Sequence, residues 1–259
     1  MLVIYIVLPA YNEVDNVSVL LQDIAQTLAE LMPVSEVLAV VVNDGSKDGT
    51  GEAVQACKAQ LLERFPRFKV ELLDHSVNRG LAEAIKSGLL YCVDKASPQD
   101  IIVTMDCDNS HIAGLIPRLA RRIFEGYDVI IASRYVPGAK IVGLSWKRKV
   151  LSSVASMIFR VLFPIAGVRD YTCGFRAYRA GLLIELFRQH PETISESGFS
   201  VMIDILLKVY RFDPGLAFGE VPLLLRYDKK EGASKMNVRL TTLQTLSLLV
   251  RRRMGIWDR

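Results

Sequence analysis

The chain is poor in the residues and patterns that carry redox, metal-cage and phosphate-loop chemistry. Its 259 residues include four cysteines and three histidines. The cysteines (Cys57, Cys92, Cys107, Cys173) show no C-x-x-C spacing, so neither a zinc site nor a disulfide framework is indicated. They are expected to be reduced, in an intracellular setting. No G-x-G-x-x-G or Walker sequence occurs, which leaves hydride transfer and P-loop phosphoryl transfer unsupported. No apolar run approaches the roughly 18 residues of a membrane-spanning helix. The opening Met1 to Leu8 lacks a basic leader and runs directly into Pro9, so it reads as a first strand rather than a signal peptide. A net charge of +4 is too mild to argue for nucleic acid. No Ser-His-Asp arrangement is evident.

What is present is a globular composition, 51% hydrophobic and 23% charged, long enough for one large α/β domain or two small ones. Apolar runs at Val3 to Leu8, Val37 to Val42, Phe68 to Leu73, Ile101 to Met105 and Asp128 to Ala132 read as buried strands. Helical periodicity separates them. Asn16 is placed to cap a first helix carrying Val17, Leu20, Leu21, Ile24, Leu28 and Leu31. Further helices are expected from about Thr50, from about Leu81 to Val93 and from about Ala113 to Phe124. The alternation predicts a mostly parallel sheet with helices on both faces and right-handed crossovers.

Each strand is followed by a polar loop: Pro9 to Glu13, Asn43 to Thr50, Asn78 to Leu81, Asp106 to His111, and Ser133 to Tyr135. In a parallel sheet these loops share one edge, where open α/β sheets bind ligands. The fourth loop carries Asp106 and Asp108. Neighbours i and i+2 of an extended chain point the same way, so the two carboxylates converge and call for a cation. Mg²⁺ or Mn²⁺, completed by substrate phosphates, suits such a pair. Neither Asp-rich loop is an EF-hand, because Gln55 and Pro117 stand where the bidentate Glu belongs. His111 is the one histidine near this site, either a metal-side or phosphate contact or a structural residue.

The second half reads differently. Trp146, Val150, Val154, Met157 and Val161, with Leu151, Ile158 and Leu162, recur at helical spacing behind Lys147, Arg148 and Lys149, and Pro164 ends the run. This is either a core-packed helix or one lying in a membrane interface. Asp170 to Arg176 is a polar, glycine-containing stretch, Phe199 to Tyr210 a helix, and Ala217 to Tyr227 a strand that Pro222 marks as an edge or bulge. After a charged loop, the apolar Leu240 to Val250 ends in Arg251-Arg252-Arg253 and Trp257, suited to an anionic lipid surface or to a solvated tail.

With these motifs in order, the chain resembles the family 2 glycosyltransferases of GT-A fold, and within them the dolichol-phosphate mannosyltransferase group in its short form without transmembrane helices. The match rests on Leu8-Pro9-Ala10-Tyr11-Asn12-Glu13, Asn43-Asp44-Gly45-Ser46, Asn78-Arg79-Gly80-Leu81, Met105-Asp106-x-Asp108, Ser133-Arg134-Tyr135, Gly174-Phe175-Arg176, Gly219-Glu220-Val221-Pro222 and Gly232-x-Ser234-Lys235. The resemblance implies an α/β GT-A (Rossmann-like), mostly parallel sheet flanked by helices, with amphipathic interface helices in the C-terminal half. The glycosyltransferase domain would span 1–238, with a nucleotide-binding half at 1–135 and an acceptor half at 136–238. A C-terminal amphipathic basic segment would follow at 239–259.

The resemblance also implies roles. Pro9, Tyr11, Glu13, Asp44, Asp48, Arg79 and Asp106 would bind the nucleotide, Asp44 through the base. Asp106 and Asp108 would hold Mg²⁺ or Mn²⁺, with Asp108 and Arg134 as catalytic residues. Lys147, Arg148, Arg226, Ser234 and Lys235 would contact the acceptor and its phosphate. The expected partners are a nucleotide-sugar donor, a polyprenyl phosphate and the cytoplasmic face of a membrane, with small membrane-protein subunits as an option and no nucleic acid. The implied reaction moves a hexose, first of all mannose from GDP-mannose, with inversion. An acceptor phosphate ionised at neutral pH needs positioning rather than a strong general base. The alternatives are a UDP-sugar donor, a non-lipid acceptor, or a sugar-nucleotide-binding subunit without turnover.

Overall fold

The five expected strand runs become parallel strands in the computed structural model, which describes residues 2–32, 36–143, 146–196, 198–229 and 238–257. They are β1 (Val3–Ala10), β2 (Glu36–Asp44), β3 (Phe68–His75), β4 (Ile101–Thr104) and β5 (Val129–Ser133). Helices α1 (Val14–Leu31), α2 (Thr50–Arg64), α3 (Leu81–Lys95) and α4 (Ile116–Phe124) connect them. Ile6, Val7, Val41, Val42, Ile102 and Val103 are all fully buried, because helices cover both faces of the sheet. Helix α1 turns Val17, Leu20, Leu21, Ile24 and Leu28 onto it.

The sheet has seven strands in the order β3-β2-β1-β4-β7-β5-β8. Strand β7 (Arg176–Arg179) runs antiparallel between β4 and β5, and β8 (Phe218–Pro222) lies parallel to β5 at the edge. The expected mostly parallel α/β sheet is thus observed, with strands from the second half of the chain completing it. Helix α5 (Trp146–Leu162) precedes β7, α6 (Ala180–Gln189) and α7 (Val201–Phe212) lie between β7 and β8, and α8 (Val238–Arg253) closes the chain.

Three local expectations are corrected. The stretch around Arg176, read only as polar and glycine-containing with no strand assigned, leads into a central strand. Only four residues long and bearing two arginines, β7 has no apolar run to betray it. Its fully buried Arg176 guanidinium is accommodated by the carbonyls of Tyr171 (2.8 Å), Cys173 (2.8 Å) and Met202 (2.5 Å). The single strand expected over Ala217 to Tyr227 breaks after Pro222. Its second part, β9 (Leu224–Arg226), leaves the large sheet and pairs with β6 (Lys140–Val142). Finally, Asn16 does not cap α1. The helix begins at Val14, and the buried Asn16 side chain instead donates to the Glu13 carboxylate at 2.7 Å.

Candidate active site

Chain direction opens a crevice. From β1 the chain winds outward through β2 and β3, then returns to place β4 on the other side of β1. The loops leaving β1 and β4 therefore diverge, which is the switch point where open α/β sheets bind ligands. These are the loops bearing Pro9, Tyr11 and Glu13 on one side and Asp106 and Asp108 on the other. Each contains an asparagine in the left-handed region, Asn12 at φ 52° and Asn109 at φ 58°. Such backbone is tolerated best by Gly and Asn, and both residues are held by side-chain bonds. Asn12 accepts from the Lys47 amide at 2.9 Å, and Asn109 donates to the Asn16 carbonyl at 3.3 Å and its side-chain oxygen at 3.1 Å.

On the β2 side, the loop after Asp44 is latched to the loop after β1. Ser46 accepts from the Asn12 amide and Thr50 from the Glu13 amide, both at 2.9 Å. Asp48 accepts from the amides of Val14 (3.1 Å) and Thr50 (3.0 Å) and from the Thr50 hydroxyl (2.6 Å). Burial would raise its carboxyl pKa, but these donors bring it below the ordinary value. Asp48 therefore braces the starts of α1 and α2. Gly45 sits at φ 66°, and a Cβ there would lie 2.4 Å from the Asn78 nitrogen, so only glycine lets this loop meet the one after β3. Asp44 is buried, and its carboxylate accepts from the Arg79 amide (2.9 Å), the Gly80 amide (2.7 Å) and His75 Nδ1 (2.7 Å). The Arg79 side chain itself is exposed.

At the end of β4, Asp106 is the open member of the acidic pair, its side chain 47% exposed. Asp108 is buried and oriented, with one oxygen accepting from the Ser110 amide (3.1 Å) and hydroxyl (2.5 Å). His111 is buried, stacks on Phe175, accepts from the Asp106 amide at 3.3 Å through Nδ1 and lies 3.9 Å from the Asp106 carboxylate through Nε2. Asp106 rests over Gly174, where a Cβ would come within 3.7 Å of its carboxylate oxygen. Among the described residues no three or more His, Cys, Asp or Glu side chains converge as a complete metal cage. A carboxylate pair with only oxygen donors nevertheless fits Mg²⁺ or Mn²⁺, because such ions are often held by one or two carboxylates and finished by substrate phosphates.

The basic residues are more committed than their sequence suggests. Arg134, at the end of β5, is clamped by Asp170. Its Nε and one terminal nitrogen donate to the two carboxylate oxygens at 2.8 and 2.6 Å, and Thr172 also accepts from it. Asp170 is fully buried and further accepts from the amides of Arg134 (3.0 Å), Thr172 (3.2 Å) and Cys173 (3.1 Å). Burial alone would raise the Asp170 carboxyl pKa, but the Arg134 charge and these bonds hold it below its ordinary value. The loop carrying Asp170 is tied in turn by Glu220, which accepts from the Arg169 and Asp170 amides, both at 2.7 Å. Sequence reading missed Asp170 and Glu220 as supports of Arg134, although both lie in motifs it singled out. Arg226 pairs with Asp228 at 2.7 Å, while its amide donates to the Ser110 carbonyl at 2.9 Å, which seats β9 against the acidic loop. Lys147 and Arg148 fall in the first turn of α5, and their side chains lie outside the described residues, as do Ser234 and Lys235 altogether.

Two surface expectations resolve in opposite directions. Of the three C-terminal arginines, Arg252 is buried, bonding Asp204 (2.8 Å), Glu196 (3.0 Å) and the carbonyls of Ile256 and Trp257. Arg251 pairs with Glu196 at 2.6 Å. These two therefore fasten α8 to α7 through Asp204 and to the segment before α7 through Glu196, rather than offering charge to lipid. Burial raises the Asp204 carboxyl pKa, a shift that Lys208 and Arg252 only partly offset. By contrast Val154, Met157, Ile158 and Val161 form one stripe of α5, and all point outward, Val161 with 74% exposure. The opposite side of α5 buries Ser156 and Phe159. No helix among the described residues is long and apolar enough to cross a membrane.

Comparison with known proteins follows the same lines. The model of the family described as glycosyl transferase family 2 matches residues 5–187. The polyprenol monophosphomannose synthase of Mycolicibacterium smegmatis is 29% identical over 232 residues, covering 90% of this chain and 80% of the relative. The undecaprenyl-phosphate mannosyltransferase of Micrococcus luteus is 31% identical over 233 residues, covering 89% and 86%. Among solved structures, glucosyl-3-phosphoglycerate synthase from Mycobacterium tuberculosis, crystallised with Mn²⁺, UDP and glucosyl-3-phosphoglycerate, superposes with a TM-score of 0.64. It is 18% identical and covers 99% of this chain and 81% of its own, a likeness of fold.

Proposed function

The chain belongs to glycosyl transferase family 2, and on that premise we propose that it is a metal-dependent, inverting hexosyltransferase that moves mannose from GDP-mannose to a polyprenyl or dolichyl phosphate. The observation that carries this reading is the Asp106–Asp108 pair at the switch-point crevice, with the basic ends of β5 and β9 close by. The acceptor class is supported by the relatives, whose names specify polyprenol and undecaprenyl phosphate. A nucleotide donor and a divalent ion are supported by solved neighbours that hold UDP with Mn²⁺ or Mg²⁺.

In this reading Pro9, Tyr11, Glu13, Asp44, Asp48 and Arg79 line the base and ribose, with Asp48 acting through the loops it braces. Asp106 and Asp108 would hold Mg²⁺ or Mn²⁺, whose charge stabilises the diphosphate as the bond to the sugar breaks. Arg134 faces the same growing charge with a preset orientation, because Asp170 fixes its guanidinium before substrate arrives. Lys147, Arg148, Arg226, Ser234 and Lys235 bind the acceptor phosphate. That phosphate is ionised at neutral pH, so positioning replaces a general base. In-line attack on an oxocarbenium-like centre inverts the sugar.

The outward stripe of α5 is the membrane contact in this proposal, placing the enzyme peripherally on the cytoplasmic face. Met157→Glu with Val161→Glu is expected to weaken sedimentation with polyprenyl-phosphate vesicles by tenfold or more, since each buried apolar side chain contributes about 1.5–3 kcal/mol. Melting temperature and nucleotide binding should not change, because both side chains are exposed. Unchanged sedimentation would remove α5 from the membrane contact.

The test of the whole reading offers purified protein, Mg²⁺ or Mn²⁺, a short polyprenyl phosphate and a panel of GDP- and UDP-sugars, with lipid products read by mass spectrometry. The expected result is one lipid-phosphate hexose, lost on chelation. A product that persists with chelator would exclude the metal. A UDP-sugar donor with a soluble acceptor is the second reading, favoured by the ligands of the solved neighbours. It predicts nucleotide release without a lipid product.

A further inference from the structure

Strand direction brings a remote part of the chain to the acidic pair. Because β7 runs antiparallel, with Arg179 paired to Ile101 at the start of β4, α6 begins at the amino edge of the sheet. Its ten residues rise about 15 Å, slightly more than the four-residue strands beside it, so α6 ends and α7 begins at the carboxyl edge. The start of α7 reaches the crevice. A Cβ on Gly174 would stand 3.7 Å from both the Asp106 carboxylate and Met202 Cγ, and the Met202 carbonyl accepts from Arg176 at 2.5 Å.

A buried charge cluster holds that end of α7. Arg252 on α8 engages all three of its nitrogens. Nε and Nη2 lie 2.8 and 2.6 Å from Asp204 Oδ1, Nη2 also donates to Glu196 at 3.0 Å, and Nη1 donates to the Ile256 and Trp257 carbonyls. Arg251 takes the second Glu196 oxygen at 2.6 Å. Lys208, also buried, donates to the Thr193 carbonyl and the Ser195 hydroxyl, both at 2.8 Å, and lies 3.2 Å from the other Asp204 oxygen. Residues 193–196 belong to no helix or strand, so side-chain bonds from α7 and α8 tie them down. The docking extends along α8. The Gln244 side chain rests against Gly198, and the Arg211 guanidinium of α7 lies 4.6 Å over the Trp257 ring.

We propose that Arg252 is a positioning residue for sugar transfer: by docking α8 on Glu196 and Asp204, it sets the first turn of α7 beside Asp106. The inference rests on the transfer reading of the acidic pair. Replacing a buried ion cluster by apolar residues of like volume is often neutral or stabilising, so stability alone is a weak reason for these charges. Their directional bonds fix where α7 begins. The loops after β1 and β2 lie on the other side of β4 from α7's contact at Gly174. The cluster therefore bears on the reaction at Asp106 and on the acceptor, and not on nucleotide binding.

The test is transfer to a short polyprenyl phosphate from the GDP- or UDP-sugar that wild type uses. Rates are referred to the stoichiometry with which the matching nucleoside diphosphate and Mg²⁺ bind in calorimetry. Arg252→Met should lower kcat/KM for the acceptor by about tenfold or more, because a shift of about 1 Å far from the chemistry can cost about a hundredfold. Its affinity for the nucleoside diphosphate should stay within about twofold of wild type, although its melting temperature falls. Arg252→Lys keeps a charge beside Asp204 without the fork to Glu196, and should recover part of the loss. A merely structural role would lower the melting temperature and the number of binding-competent molecules but leave kcat/KM per nucleotide site unmoved, which would overturn the proposal. A matching loss of nucleotide affinity would overturn it too. Should Arg252→Met fail to fold, Arg251→Met carries the same test with an expected loss of about threefold, because that side chain is partly exposed and gives up its bond to Glu196 alone. Nucleotide binding by wild type without any lipid product would overturn the transfer reading and this inference with it, an outcome that the wild-type control separates from the others.

Discussion

Asp106→Ala is expected to lower sugar transfer by about a thousandfold while leaving the protein folded. The magnitude follows from what the residue would do. Removing one preorganised charge-stabilising group at a developing negative charge typically costs 10²–10³ in turnover, and loss of a metal ligand adds to this. The folded state should hardly register the change. The Asp106 side chain is half exposed, and its backbone amide donates to His111, a bond that alanine keeps. A melting temperature within a degree or two of wild type is therefore expected. Asp108→Ala is the less clean experiment, because the lost carboxylate also orients the buried Ser110. Transfer by Asp106→Ala within tenfold of wild type would sink the assignment of the acidic pair to the diphosphate.

Asp170→Ala is expected to have the largest effect on stability. It would leave the Arg134 guanidinium without its bidentate partner and orphan three backbone amides that now share the carboxylate. Breaking a buried pair from one side costs about 3–5 kcal/mol, which corresponds to a fall in melting temperature on the order of 10 °C. Activity should fall as well, because Arg134 would lose its preset orientation. The pH dependence has a definite sign. The folded-state pKa of Asp170 is depressed below its ordinary 3.8, so its contribution to stability is complete above that value and is lost as pH falls through the folded pKa. Acid unfolding of Asp170→Asn should accordingly be shallower below about pH 4 than that of wild type. If Asp170→Ala melts like wild type and transfers normally, the clamp on Arg134 has no consequence.

The large sheet and the crevice were legible because their signals are local. Strand runs such as Val37 to Val42 and the helical spacing of Val17, Leu20, Leu21 and Ile24 each follow from a few adjacent residues. The loops at the carboxyl edge followed from parallel topology alone. What escaped was decided by residues far apart in the chain. Arg134 meets Asp170 across 36 positions, Asp44 meets His75 across 31, and Arg252 meets Asp204 across 48. A basic residue in a sequence carries no mark of whether its charge will face a ligand, a lipid or a buried carboxylate. Arg252 and Val161 show both directions of that ambiguity, since the charge expected outside went in and the apolar stripe with two readings came out.

From sequence alone, then, come the α/β class, the sheet edge that gathers the polar loops and the acidic pair at that edge, because periodicity and strand direction depend only on near neighbours. Tertiary structure decided the antiparallel β7, the clamp on Arg134, the His75 brace on Asp44 and the outward face of α5. Each of these depends on which distant groups share a low-dielectric interior, where an unpaired charge is costly and a partner must be found wherever the chain brings one.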